Sequence, residues 1–156
     1  MTVEMRRKDR QMTDEEARKI LEEGLYGILS TVDKDLQPYG IPISYVLLNG
    51  SIYIHGTNAG GHKYTNIEGN NRVSFTVVGK NQVLPDKFST LYESAIAFGT
   101  IEMVSEEEER LLAFREFLNK YSPDFLTEGE QYVSTAGPKA AMMKISIQHL
   151  TGKHRV

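Results

Sequence analysis

The sequence predicts a β-dominated α+β fold: a six-stranded antiparallel barrel with helical excursions. Three observations predict it. Six short runs are β-rich or alternate apolar and polar residues with period two, Asn49-Gly50 joins two of them as a tight hairpin, and helical patterns fill too few gaps for a parallel sheet. With 156 residues, no internal repeat and no low-complexity linker, the chain reads as one unit, residues 1–156, with 1–12 as an N-terminal arm.

Thr13-Asp14-Glu15-Glu16 has the form of a capping box, so a short helix should run to about Glu23 and stop at Gly24. Leu25 to Thr31 is the first strand, and Val32-Asp33-Lys34-Asp35 turns it into a second from Tyr39 to Leu48. In that second run Ile41, Ile43, Tyr45 and Leu47 share one face, and Pro42, Ser44, Val46 and Leu48 the other. Pro42 has no N–H for a ladder, so its nitrogen must face an edge, a bulge or a ligand. Ser51 to His55 returns antiparallel after Asn49-Gly50. The loop Gly56-Thr57-Asn58-Ala59-Gly60-Gly61 then leads into a short helix from about His62 to Glu68. Arg72 to Val78 and Ala95 to Val104 are the next strands. Ser105-Glu106-Glu107-Glu108 should cap a helix whose buried face is Leu111, Phe114, Leu118 and Tyr121, closed by Ser122-Pro123-Asp124. A short helix near Glu128 to Ser134 and a last strand from Ala141 to His149 complete the reading.

Composition narrows the function. Eighteen Lys and Arg against 21 Asp and Glu give a net charge of −3, which supplies no general attraction to nucleic acid or an anionic membrane. The chain has no cysteine, which removes thiol chemistry and Cys-based metal sites and suits a reducing cytoplasm. No apolar run approaches the ~20 residues that span a bilayer. The expectation is a cytoplasmic protein whose chemistry uses other side chains or a cofactor.

The stretch His55 to Lys63 carries the most information. Its glycines let successive N–H groups converge, a helix N-terminus follows, and His62 and Lys63 stand at the opening, which are the parts of a phosphate site. The plain alternative is a flexible strand-to-helix loop. It is not a nucleotide-hydrolysing loop, because His62 occupies the lysine position and Tyr64 follows Lys63 where Ser or Thr would hold magnesium. Neither His55 and His62, seven apart, nor His149 and His154, five apart, have the spacing of a helical zinc pair, so no metal is expected. Arg6-Arg7-Lys8-Asp9-Arg10 is short, contains Asp9 and lacks interleaved aromatics. It reads as a solvated arm, or one that folds over a partner subunit or an anionic cofactor. Tyr39, Tyr45, Tyr53 and Phe75 read as barrel wall.

Several segments together resemble the nitroimidazole-reductase-like branch of the pyridoxamine phosphate oxidase family. They are Met5 to Arg10, Pro38 to Tyr45, Ile52 to His55, Gly61-His62-Lys63, Val73 to Val78, Tyr92-Glu93-Ser94 and Thr151-Gly152-Lys153. The resemblance implies an FMN-binding split barrel, a homodimer with two flavins at the subunit interface. It implies that backbone groups of Pro42, Ile43, Ser44 and Tyr45 lie along the isoalloxazine, that Ile54 and His55 border the ribityl chain, that His62 and Lys63 hold the phosphate, and that Ser94 lies near a flavin-contacting position. His55 and His62 are then the candidates for giving a proton or steadying developing negative charge. The chain has no Trp and ends in Thr151-Gly152-Lys153-His154-Arg155-Val156, which argues against oxidation of pyridoxamine phosphate. Two functions remain open. One is an oxidoreductase passing electrons from reduced nicotinamide to a small acceptor such as a nitroimidazole or other nitroaromatic; the other is a non-catalytic flavin or haem carrier or sensor.

Overall fold

A computed structural model describes residues 3–57 and 60–156; Asn58 and Ala59 of the expected glycine-rich loop lie outside the described residues. Its elements are α1 (Asp14–Glu23), β1 (Gly27–Val32), β2 (Pro38–Ile43), β3 (Val46–Leu48), β4 (Ser51–Thr57), α2 (His62–Gly69), β5 (Arg72–Leu84), β6 (Ser89–Met103), α3 (Glu107–Tyr121), α4 (Leu126–Ala136) and β7 (Ala140–Arg155). The strands form one antiparallel sheet in the order β2-β1-β5-β6-β7-β4-β3. Its two end strands, β2 and β3, are consecutive in the chain, so the sheet curls back on itself and Ser44-Tyr45 bridges the split.

There are thus seven strands where six were expected. The run from Tyr39 to Leu48 leaves its ladder with β1 after Ile43 and joins β4 at Val46. Alternation survives the break: Ile41, Ile43, Tyr45 and Leu47 pack on the barrel core, while Val46 and Leu48 pack under α3. Periodicity reports faces and is blind to a change of ladder partner, which is why the break could not be seen in the pattern. Pro42 lies on β2, an edge strand paired only with β1, where its missing N–H costs nothing.

The capping box forms as expected: the Thr13 hydroxyl accepts from the Glu16 N–H at 3.2 Å and the Glu16 carboxylate accepts from the Thr13 N–H at 2.8 Å. Asn49 and Gly50 both take positive φ, 50° and 78°, in the β3–β4 turn. Other boundaries move. β1 starts at Gly27, leaving Leu25 and Tyr26 exposed. β5 and β6 extend into residues 79–84 and 89–94 as a projecting ribbon, with a bulge between Val78 and Asn81. Its tip is Phe88, 97% exposed and at φ 48°. β7 continues past His149 to Arg155 because a bulge at Phe98/Gly99 resets its register with β6. Ser105 does not cap α3, whose N-cap is Glu106 without a side-chain bond. The buried face of that helix is Ala113, Phe114 and Phe117, and Leu111 is exposed. The helix also rolls toward Glu109, which accepts from Tyr53 Oη at 2.5 Å and Lys144 Nζ at 2.9 Å on the barrel wall. α4 is longer than expected, Leu126–Ala136.

Two cores result. The barrel interior is built on Leu29, Tyr45, Ile54, Phe75, Ile101 and Ile145, none more than 1% exposed, and is plugged by Ala17, Ile20 and Leu21 of α1. The second, outside the barrel, holds Val46, Tyr53, Phe114, Phe117 and Met142 under α3. The arm is not wholly solvated: Met12 is core, its N–H bonds to Gly152, Gln11 bridges to Lys153, and Arg10 reaches Tyr92 Oη at 3.5 Å.

Candidate functional site

The expected residues gather around the end of β4. Ile54 points into the barrel, wholly buried, and His55 points outward toward α3. Its imidazole stands edge-on to Phe117 with centroids 4.6 Å apart and tilted to Phe114 at 5.9 Å. Beyond it opens a cleft of about 490 Å³ between β4, α3 and α4, lined by His55, Phe117, Leu118, Tyr132, Val133 and Lys139 among others. Arg110 fixes the far wall, donating to the Gly137 carbonyl at 2.9 Å and the Ala140 carbonyl at 3.1 Å. Desolvation in this cleft, and secondarily the charge of Lys63, pushes the His55 pKa below the ordinary histidine value. At neutral pH the ring therefore offers one donor and one acceptor nitrogen.

Lys63 and His62 open α2. Gly61, at φ 130°, precedes the helix, and its carbonyl accepts from the Tyr64 and Thr65 N–H groups. Lys63 extends back over β4: a Cβ at Gly56 would come within 3.2 Å of Lys63 Nζ and 2.7 Å of Tyr64 Oη, so a side chain there would push the lysine tip and the tyrosine hydroxyl aside. Tyr64 Oη donates to the Thr57 carbonyl at 2.9 Å, and Asn66 donates to Thr31 Oγ1 at 3.0 Å in a buried contact, so α2 is tied to both β4 and β1. His62 packs its ring 4.2 Å from that of Tyr39 on β2. The helix opening thus touches the Tyr39 end of β2, the edge strand that runs on to Pro42 and Ile43.

Two expected residues are placed differently. The Tyr45 side chain is wholly inside the core, donating to the Leu21 carbonyl, with burial pushing its pKa up. Its backbone N–H and carbonyl are engaged by Tyr121 and Lys120, and the half-buried Ile43 side chain packs on the core, so in this segment the exposed Pro42 and Ser44 face outward. Ser94 lies on β6 opposite Lys153, toward the far end of β7 from the Thr57–Ala140 pair, and does not join the cluster. The cleft-lining Phe117, Tyr132, Val133 and Lys139 were missed by sequence reasoning. A helical face read around Phe114 and Phe117 would have found the first of them. Among the described residues no group of three or more His, Asp or Glu converges as a metal site.

A seven-stranded barrel split at one seam, with an edge strand, a helix opening and an aromatic cleft at that end, is the split-barrel class. The chain belongs to the pyridoxamine 5'-phosphate oxidase family, whose model matches residues 13–154. No curated protein matches it significantly. Among solved structures, a candidate 5-nitroimidazole antibiotic resistance protein from Bacteroides thetaiotaomicron is 22% identical, with TM-score 0.78 over 92% of this chain and 86% of that one. A conserved hypothetical protein from Mycobacterium tuberculosis is 22% identical, with TM-score 0.81 over 97% and 91%. An FAD-binding protein from Mesorhizobium loti is 20% identical, with TM-score 0.67 over 94% and 98%. At these identities the likeness is one of fold.

Proposed function

We propose that this chain is an FMN-dependent oxidoreductase that accepts electrons from reduced nicotinamide and passes them to a small planar acceptor such as a nitroimidazole. The observation that carries the reading is the adjacency of three parts: the cationic opening of α2 at His62 and Lys63, the free edge of β2, and the aromatic cleft at His55. The residues present fit a flavin mononucleotide. Lys63 supplies a charge for a phosphate, and the His62 and Lys63 N–H groups of the first turn of α2 supply donors. Exposed Pro42 and Ser44 and the backbone of Ile43 offer an edge for a flat ring, and His55 borders the chain between. The flavin, when bound, supplies the hydride and electron chemistry.

The protein's own part is binding, orientation and proton supply. Phe114, Phe117 and Tyr132 give a planar acceptor apolar walls, and Lys139 at the rim favours an acceptor bearing negative charge. His55, neutral in its resting state, holds a proton on one nitrogen beside that cleft and can give it to an acceptor as negative charge develops there. A homodimer in which one copy's Ser94 face meets the other's α2 opening would bring Ser94, remote from Lys63 in one chain, to the flavin. The exposed Phe88 ribbon supports the same arrangement. Absence of cysteine and use of reduced nicotinamide both suit the cytoplasm.

The test is the absorbance spectrum of the purified protein, with identification of the released cofactor, followed by anaerobic NADH and NADPH. Flavin bands that bleach with a donor and recover with a nitroimidazole support the reading. FAD on release would correct the cofactor, flavin that never bleaches would leave a carrier or sensor, and a Soret band would make His55 a haem-facing residue.

A further inference from the structure

Helix α3 ends on two residues that hold the seam between β2 and β3. Tyr121 Oη lies 3.0 Å from the Tyr45 amide nitrogen, 2.9 Å from the Tyr45 carbonyl oxygen and 2.7 Å from the Leu25 carbonyl oxygen. A hydroxyl carries one proton, so it accepts from the Tyr45 N–H and donates to one carbonyl at a time. Lys120 Nζ donates to the Tyr45 carbonyl at 3.0 Å, which leaves the Tyr121 proton for Leu25. The ammonium also sits 3.9 Å over the Tyr45 ring and 5.3 Å from that of Tyr121. Two side chains thereby staple the approach to β1, the end of the β2 segment and the start of β3 at one point.

We infer that Lys120 and Tyr121 are positioning residues for the segment Pro42–Tyr45, fixing where β2 leaves its ladder and hence the line of the exposed edge on which a flat cofactor ring rests. The inference rests on the flavin reading above and extends it to residues that reading does not include. The Tyr45 side chain is anchored in the barrel core, but the main chain between Ile43 and Val46 has no ladder partner, and Ser44 is exposed. The same helix supplies Phe114, Phe117 and Leu118 to the cleft, so the cleft wall and the seam are carried by one rigid element.

The charge on Lys120 is exposed to titration. The rings of Tyr45 from the seam and Tyr121 from α3 face it, and Glu116 of α3 and Glu22 of α1 line the same surface pocket. Among the described residues no carboxylate is ion-paired with it. Burial lowers its pKa to about 8. Above that value the attraction to the two rings is lost, although an N–H can still reach the Tyr45 carbonyl.

The experiment compares FMN titration and the bound-flavin absorbance spectrum for wild type, Tyr121→Phe, Lys120→Met and Lys120→Arg between pH 6.5 and 9. Tyr121→Phe should weaken FMN binding by about 3–10-fold, the equivalent of one hydrogen bond, and shift the flavin bands. Wild type should bind about 3-fold or more weakly above pH 8 than below it; Lys120→Met should be weak throughout, and Lys120→Arg tight throughout with no step. If Tyr121→Phe fails to fold, the Met and Arg variants decide the matter alone. Affinity, spectrum and pH profile unchanged in Lys120→Met overturn the positioning role and leave the flavin reading standing. Wild type that takes up no flavin overturns both.

Discussion

The barrel interior and the α3 annexe bury similar kinds of side chain to different ends. Inside the barrel, Leu29, Phe75, Ile54 and Ile145 are sealed completely and the one buried phenol, Tyr45, has its partner in the Leu21 carbonyl. Under α3, Phe114 and Phe117 are each 7% exposed, and they face a cleft of about 490 Å³ rather than more protein. The first region spends its apolar surface on stability. The second leaves some unspent, and it is there that His55 stands with a depressed pKa.

The division can be broken most severely from the barrel side. Phe75→Ala should cost about 3–5 kcal/mol in urea denaturation, because Phe75 packs edge-on against Tyr45 at 4.8 Å with no space to relax into. A loss below ~1 kcal/mol would show that the barrel does not hold the fold.

Lys63→Ala should leave denaturation near wild type and weaken FMN binding by roughly 1.5–3 kcal/mol, more than any single change in the Arg6 to Arg10 arm, where Arg7 is already paired with Asp9. Equal FMN affinities for wild type and variant would place the phosphate elsewhere.

Phe117→Leu sharpens the contrast further. It should stay within ~1.5 kcal/mol of wild-type stability while raising the acceptor KM more than it lowers kcat, since the His55 edge contact and one cleft wall are lost. A kcat loss with KM unchanged would assign the cleft to chemistry instead of acceptor binding.

The smallest effect is electrostatic. The His55 pKa is lower in the folded chain than in the unfolded one, so between the ordinary value and the lowered one the unfolded state binds more protons. Stability from this group is therefore present above the ordinary range and is lost as pH falls through it. In an NMR titration Lys63→Met should raise the His55 pKa only part of the way back, because desolvation is the larger cause. Full recovery would mean that Lys63, and not the cleft, sets the ring's state.

Local chemistry explains which of these features could be read in advance. The capping box at Thr13, the Asn49-Gly50 turn and the helix opening at His62 are each fixed by neighbours in sequence, and each forms where expected. The seam at Ser44-Tyr45 is fixed by Tyr121, 76 residues away, and β7 outlasts its expected end by pairing with β6 beyond a bulge at Gln148. The site was legible in the same proportion. His55, His62 and Lys63 sit within nine residues of chain, whereas the cleft that gives His55 its surroundings comes from α3 and α4, whose docking no local pattern records.

The place of β7 has a bearing on how the protein comes into being. This strand pairs with β6 along one side and with Ile52 to Thr57 of β4 along the other, including His55 opposite Met142. Until it emerges from the ribosome, β4 has only the three-residue β3 beside it, and the histidine edge of the site has no fixed backbone. Antiparallel contacts spanning such separations make for slow, late assembly. A nascent chain halted before Ala140 should hold the β1-β5-β6 sheet yet lack a fixed histidine edge, so ligand competence arrives in a single step when β7 takes its place.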